Sequence, residues 1–496
     1  MTVASKTPES QEQNIPWYRE MNTYHWVVFT ICSLGWAFDC MDQHLFTYAR
    51  AAAVSDLMLL DQTSDQTLHY ATIATSIMML GWATGGIIFG IVGDKFGRAK
   101  TMFFTILIYS ILTGLSAFAV SIWDFMILRF LAGIGIGGQF AVGASLLAES
   151  MPERARPYVL GIMQVISGLG NVGAAVVAMS FTELDSVKML PMSAWRCLFL
   201  FGSFPAILSY FVAKYLKEPE AWKNSSADDR KKRGSIKELF TEPTIRKHVV
   251  LGMILAATGV IGAWGIGLFS MELAGKVFVK IAEETPEYKQ IVQNVLEKHS
   301  IQADSGAAIK MEITAEIQAE IKDATRELTS TVSGRWRAIN LLIYNIGAMA
   351  GMYGFTLGAV YWGRRVTFTV FMIGCIIFTS ATFLYMNSAM TLLLLVPPMA
   401  FFLMSMFGGY TIYFPELFPT RLRSTGVSFC YNAGRYIAAC GPLALAGLTS
   451  LFSGFATEED ATLPFRYAGV AMCSVFLIGI VVIWFLPETK GKPLPD

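Results

Sequence analysis

Residues 90–100 read GIVGDKFGRAK, and residues 358–366 read GAVYWGRRV. Each string runs from a glycine through a small apolar stretch to Gly-Arg, and each joins two long apolar runs. A short basic connection repeated at matching places in two sets of apolar runs points to two related bundles of membrane helices. A helix needs about 20 apolar residues to cross the hydrocarbon core. Such runs stand at 25–48, 69–92, 101–121, 123–149, 156–181, 195–216, 247–273, 336–362, 366–387, 389–414, 422–451 and 463–486. A polar stretch at 217–246 divides them six and six. The expected fold is therefore all-α and integral to the membrane, with twelve transmembrane helices in two six-helix halves.

Composition agrees with that expectation. Of 496 residues, 54% are hydrophobic and 15% charged, where a soluble domain carries about a quarter charged. The net charge of +1 leaves no basic excess for nucleic acid. The seven cysteines fall in apolar runs without metal-ligand or disulfide-framework spacing. The first residues, MTVASKTPESQEQNIPWYRE, lack the basic start and short apolar core of a signal peptide. No cofactor or metal is expected. The expected partners are the lipid bilayer, a small-molecule substrate and protons, with the chain as a monomer.

Lysine and arginine set the orientation. The connections DKFGRAK, SMPERARP, GRR, PTRLRS and ETKGKP are short and basic, whereas VSDLMLLDQTSDQ and FATEEDATLP are acidic. The positive-inside rule then places both termini in the cytoplasm of a multi-pass protein of the cell membrane. This gives a cytoplasmic tail at 1–24, an N-terminal half at 25–216, a cytoplasmic linker at 217–246, a C-terminal half at 247–486 and a tail at 487–496. Residues 275–334 interrupt the second half on the non-cytoplasmic side. There Ile313, Ile317 and Ile321 recur every fourth residue among Glu and Lys, the pattern of amphipathic helices in water. That insertion reads either as a small helical cap or as a flexible segment.

Three further strings join the repeat: KEPEAW at 217–222, PELFPTRLRSTG at 415–426 and PETKGKPL at 487–494. Four strings in order at the right helix ends resemble the major facilitator superfamily, in its sugar-porter and organic-ion branch. The resemblance implies a secondary transporter working by alternating access, with Gly90, Asp94, Gly97 and Arg98 holding a cytoplasmic gate. The glycines allow close approach and a tight turn, and Asp94 can accept from Arg98 and from a helix N-terminus. Glu149 and Arg154 after the fourth span, Arg364 in the second copy, and Glu416 and Arg423 in the third string read as further gate parts. In the second copy Tyr361-Trp362 replace the acidic position, so a weak or missing charge latch is expected there.

The first span holds Asp39 and Asp42, three residues apart and on one helical face. A charge at mid-bilayer costs about 2.5–3.5 kcal/mol on insertion scales, and function is the expected compensation. Counted at 1.5 Å per residue, Asp42 and Arg129 of the fourth span both lie about 9–10 Å from the outer surface. One carboxylate can stay ionised against Arg129 while the other loads and releases a proton, with Asp42 the favoured carrier. A fixed ion pair between the two helices is the alternative. Arg435 lies about 20 Å inside the eleventh span, where its planar fork suits a carboxylate. An arginine there, the D-x-x-D of the first span and QNIPWYR near the start are similar to organic-anion, aromatic-acid and sialic-acid members of the superfamily, although Cys40-Met41 depart from the usual D-G-[FY]-D.

Asn432, Gln139, Gln164 and Asn171 are candidate polar lining of a substrate cavity. Trp264, Tyr344, Asn345 and Tyr410 read as packing residues. Gly133, Gly135, Gly137 and Gly138 lie inside a membrane helix with no preceding strand, so they are packing glycines and not a nucleotide loop. The functional expectation is proton symport of a small carboxylate-bearing metabolite. A neutral sugar is the rival substrate, although the seventh span, GVIGAWGIGLFS, lacks the Gln-Leu-Ser signature of many sugar porters. A non-transporting nutrient receptor is the alternative of another class. An enzyme is not expected, since there is no nucleophile–base pair, metal cluster or P-loop.

Overall fold

A computed structural model of the chain describes residues 16–62, 64–299, 315–438, 441–456 and 462–495. The crossing helices are α1 (Thr23–Met58), α2 (Asp65–Phe96), α3 (Arg98–Ser116), α4 (Ile122–Ser150), α5 (Arg156–Ser186), α6 (Ala194–Tyr215), α7 (Pro243–Glu283), α8 (Ala315–Tyr361), α9 (Arg364–Tyr385), α10 (Ala389–Leu417), α11 (the two pieces Arg423–Ala438 and Gly441–Leu451) and α12 (Leu463–Phe485). Ten of these are apolar enough along their length to cross a bilayer. The other two are α1, whose apolar run carries Asp39 and Asp42, and α11, described in two pieces. The twelve-helix, two-half fold expected from the repeat is the fold observed.

Local chemistry sets the ends of these helices. Asn22 caps α1 and Ser121 caps α4, each in a reciprocal capping box with the third helical residue, which satisfies two orphan backbone donors at once. Gly97 at φ 111° and Gly363 at φ 89° form the sharp turns into α3 and α9, a left-handed conformation that favours glycine. Inside the first half α2 and α4 touch backbone to backbone. A Cβ on Gly133 or Gly137 would strike main-chain atoms of Met78 or Trp82, and one on Gly85 would strike Ile134. The run GIGIGG is thus a packing surface, as expected.

The two halves meet along two seams, α2 against α11 and α5 against α8. One face of the bundle carries both ends of the described chain. On it Tyr24 bonds the backbone of Lys217, Arg154 pairs with Glu20, and Arg423 donates to the Pro495 carbonyl. This is the terminal face.

Within 275–334 nearly all of the described residues are helical. α7 continues to Glu283, a short helix spans Pro286–Lys298, and α8 is one helix of 47 residues, about 70 Å long. The helix that carries the eighth apolar run therefore begins well before residue 336 and is about twice as long as the hydrocarbon core is thick. Lys298 and His299 both contact Glu320 near the N-terminal end of α8, at 2.6 and 2.8 Å. Ile317 is buried, and Ile313 lies outside the described residues.

Candidate functional site

The terminal face is closed by a buried polar network that joins the halves. Asp94, near the end of α2, accepts from the backbone N–H groups of Ser424 and Thr425 at 3.1 and 2.8 Å and from the Thr425 hydroxyl at 2.5 Å. Those donors are the first turn of α11, where a negative charge meets unsatisfied N–H groups and the positive end of the helix dipole. Arg98 reaches Asp94 at 2.9 Å, Glu149 at 3.1 Å and the Thr420 carbonyl at 2.5 Å. Glu149 also takes Arg423 at 2.7 Å, and Arg423 donates to the Pro415 carbonyl. Gly90 lies against Ser428 on the same seam. Arg154 stands apart on the surface in its pair with Glu20.

Glu218 of the KEPEAW string completes this arrangement. Its carboxylate accepts the backbone N–H groups of Arg98 at 2.6 Å and Lys100 at 3.1 Å, capping α3. Glu488 does the same for Arg364 and Arg365 at the start of α9, at 3.0 and 3.1 Å. The strings KEPEAW and PETKGKPL stood out in the sequence without any role for these two carboxylates, whose partners lie more than a hundred residues away.

The second copy keeps more of the latch than its sequence suggests. Arg364 grips Glu416 with both ends of its fork, at 3.0 and 2.6 Å, and the Thr489 hydroxyl joins the same carboxylate at 2.5 Å. A weak or missing latch is thus corrected for this ion pair, which a planar fork makes strong. The missing part is the acid that would reach across to the first half. Counting back from Gly-Arg, Val360, and not Tyr361 or Trp362, stands where the first copy has Asp94, which corrects that alignment, and α5 starts without a side-chain cap.

In the interior Asp39 and Asp42 point into the first half, toward α3, α4 and α6. Asp42 lies 3.9 Å from Arg129, with the Thr113 side chain beside it and Gly202 of α6 behind it. Arg129 donates to Ser116 at 2.7 and 3.1 Å and to the Leu112 carbonyl at 3.2 Å, and its plane lies over Phe199. Asp39 faces Tyr109 and the like charge of Asp42, and no described cation lies within ion-pair distance of it. All three charged side chains are fully buried. The sequence brought Asp39, Asp42 and Arg129 to one depth; the fold separates the two carboxylates by partner.

Arg435 occupies the seam between the halves. Its guanidinium lies 3.5 Å above the Trp82 ring of α2 and 4.5 Å from Tyr431, and it donates to the Asn432 side chain at 2.6 Å. Asn432 in turn donates to the Ser428 carbonyl and sits against Gly86. Phe140 stacks on Tyr431 at 4.0 Å, and Trp264, in the π-helical stretch of α7, meets Trp82 edge-on at 6.4 Å. Arg435 is 6% exposed, and among the described residues no carboxylate pairs with it. Trp82, Tyr431 and Phe140 were not singled out from the sequence, because tryptophan, tyrosine and phenylalanine are frequent in such helices and only the seam selects these three.

The remaining candidates divide. Gln164 accepts from Trp36 of α1 at 3.0 Å and from Thr411 of α10 at 3.2 Å, and Asn171 donates to Asn345 of α8 at 3.4 Å. Both therefore bridge the halves. Gln139 accepts from Thr105 at 3.0 Å and packs on Gly35, which ties α1, α3 and α4 together inside one half. Tyr410 donates to the Leu255 carbonyl at 2.8 Å, a packing contact.

Twelve membrane helices in two halves, joined at one face by this network, are a transporter architecture. Residues 19–279 match the family model of the Major Facilitator Superfamily, and the chain belongs to that superfamily. A cis,cis-muconate transport protein of Acinetobacter baylyi is 26% identical over 451 residues, covering 88% of this chain and 92% of the relative. The niacin transporter NiaP of the same organism is 22% identical over 518 residues, covering 98% of each. Among solved structures, the proton:xylose symporter XylE bound to 6-bromo-6-deoxy-D-glucose matches with a TM-score of 0.69 at 15% identity, over 95% of this chain and 98% of that one. At that identity the likeness is one of fold.

Proposed function

We propose that this chain is a proton-coupled symporter of small carboxylate-bearing metabolites. It works as a monomer by alternating access in the cell membrane, with both termini in the cytoplasm. The observation that carries the reading is Arg435. A buried guanidinium without a counter-ion costs several kcal/mol, and a substrate carboxylate offsets that cost through two parallel charge-assisted bonds. Trp82 and Tyr431 hold the fork flat, so that its free edge is presented already oriented. Muconate and niacin, named for two relatives, are both carboxylic acids, which supports the same class of substrate here.

Asp39 is the proton carrier in this reading, and not Asp42. Asp42 has Arg129 to balance its charge, whereas Asp39 has a second carboxylate and a phenol. A bound proton removes the uncompensated charge of Asp39, and its release becomes favourable when the cavity admits water. In this reading the Asp94–Arg98–Glu149–Arg423 network is the cytoplasmic gate, which its buried ion pairs, with Glu149–Arg423 across the halves, support.

Uptake in proteoliposomes carrying an imposed pH gradient tests the proposal. Muconate, nicotinate, sialic acid, xylose and glucose serve as probes. Gradient-driven accumulation of an acid is expected, lost in Arg435→Ala. Asp39→Asn is expected to retain exchange of labelled for unlabelled acid while losing accumulation. Hexose uptake that survives Arg435→Ala would overturn the anion reading. Ligand binding without accumulation would make the protein a receptor.

A further inference from the structure

On the lipid-facing side, where α7 and α12 approach the terminal face, lies a groove of about 390 Å³ lined by Pro243, Arg246, Lys247, Val250, Leu251 and Phe485. The two cations are exposed, and among the described residues neither has an ion-pair partner. Each stands one helical turn from an apolar wall residue, Arg246 from Val250 and Lys247 from Leu251, and therefore on the same ridge of α7. Across the groove Phe485 is 60% exposed. Arg365 donates to the Leu486 carbonyl at 2.8 Å, one residue beyond Phe485, and its own backbone N–H is held by Glu488.

We propose that this groove is a binding site for an anionic phospholipid of the leaflet at the terminal face. The phosphate lies on Arg246 and Lys247, and an acyl chain runs inward along Val250, Leu251 and Phe485. Charge complementarity selects that occupant. Two cations without protein partners sit at headgroup depth, and the wall immediately below them is apolar. A basic pocket between membrane helices on the basic side of a protein is suited to an acidic headgroup, whereas topology alone needs only the charges and no groove. The groove joins the first and last helices of the second half, so a bound lipid would tie that half together during transport.

Native mass spectrometry of the purified full-length chain, titrated with palmitoyl-oleoyl phosphatidylglycerol or with the phosphatidylcholine of the same chains, tests this. The wild type is expected to bind the glycerol lipid more tightly. The double variant Arg246→Gln/Lys247→Gln should lower that affinity roughly tenfold, and the charge-preserving exchange Arg246→Lys/Lys247→Arg should retain it. Val250→Trp, which fills the groove without altering charge, should also weaken binding. Equal affinity for the two lipids would overturn the proposal. So would glycerol-lipid binding unchanged in either the glutamine pair or Val250→Trp.

Discussion

Replacing Asp94 by Asn removes one negative charge and leaves the side-chain volume almost unchanged. The carboxylate holds three bonds from the first turn of α11 and an ion pair with Arg98. Asparagine keeps one acceptor oxygen and offers an NH₂ group where α11 presents only donors. Hydrogen bonds to a charged group contribute about 1.5–3 kcal/mol each, and a carboxylate at a partly buried helix N-terminus contributes up to about 2 kcal/mol. Allowing for the retained acceptor and for water reaching the opened face, the net loss comes to about 3 kcal/mol. That moves the closed-to-open equilibrium of the terminal face by more than about a hundredfold. Electron-spin distance measurements between labels at Lys100 and Tyr361, both exposed and in opposite halves, report that equilibrium in a background without native cysteines. The variant should gain a population at longer separation that the parent lacks. An unchanged distance distribution would refute the assignment of Asp94 as the bond that closes this face.

Arg435→Lys keeps the charge but loses both the fork and much of the stacking on Trp82 and Tyr431; KM for an acid substrate should rise about tenfold or more, an effect of about 1.4 kcal/mol, as measured by initial uptake rates. Asp42→Asn leaves Arg129 buried without its carboxylate and should lower the melting temperature in detergent. Asp39→Asn removes an unbalanced carboxylate and should leave that temperature unchanged or raise it; the reverse order in a thermal scan would contradict the division of roles between them. Gly85→Leu drives a side chain into the α4 backbone at Ile134, and overpacking of this kind costs about 1–3 kcal/mol or more. Its folded yield after size exclusion should fall sharply.

Much of the fold was legible because membrane crossing is written in composition. Apolar runs of fixed length, basic connections on one side and a glycine-bearing repeat are local properties, and each survives reading in one dimension. The length of α8 was less legible. Its N-terminal part is amphipathic and its C-terminal part apolar, so a window tuned to hydrocarbon sees only the second, while backbone hydrogen bonding runs through both. The second-copy latch was misjudged for a related reason. The acid that pairs with Arg364 is Glu416, 52 residues away, and a motif aligned by its own neighbours cannot show a partner supplied by another helix.

The candidate site divides in the same way. The sequence by itself determined that Asp39, Asp42, Arg129 and Arg435 would be buried in the membrane and therefore need compensation, because a charge in hydrocarbon is costly whatever surrounds it. It also determined the strings that supply Asp94, Arg98, Glu218, Glu416, Arg423 and Glu488. Tertiary structure alone decided which charge meets which. The rotation and crossing of α1 against α3, α4 and α6 give Asp42 a guanidinium and Asp39 a phenol, although the two stand on neighbouring turns. The seam between α2 and α11 lays Arg435 flat on Trp82, more than 350 residues apart in the chain, and leaves its outer edge without a carboxylate. Electrostatic interaction falls off over a few ångströms, and separations of that size are set by how helices cross, not by where residues stand along them.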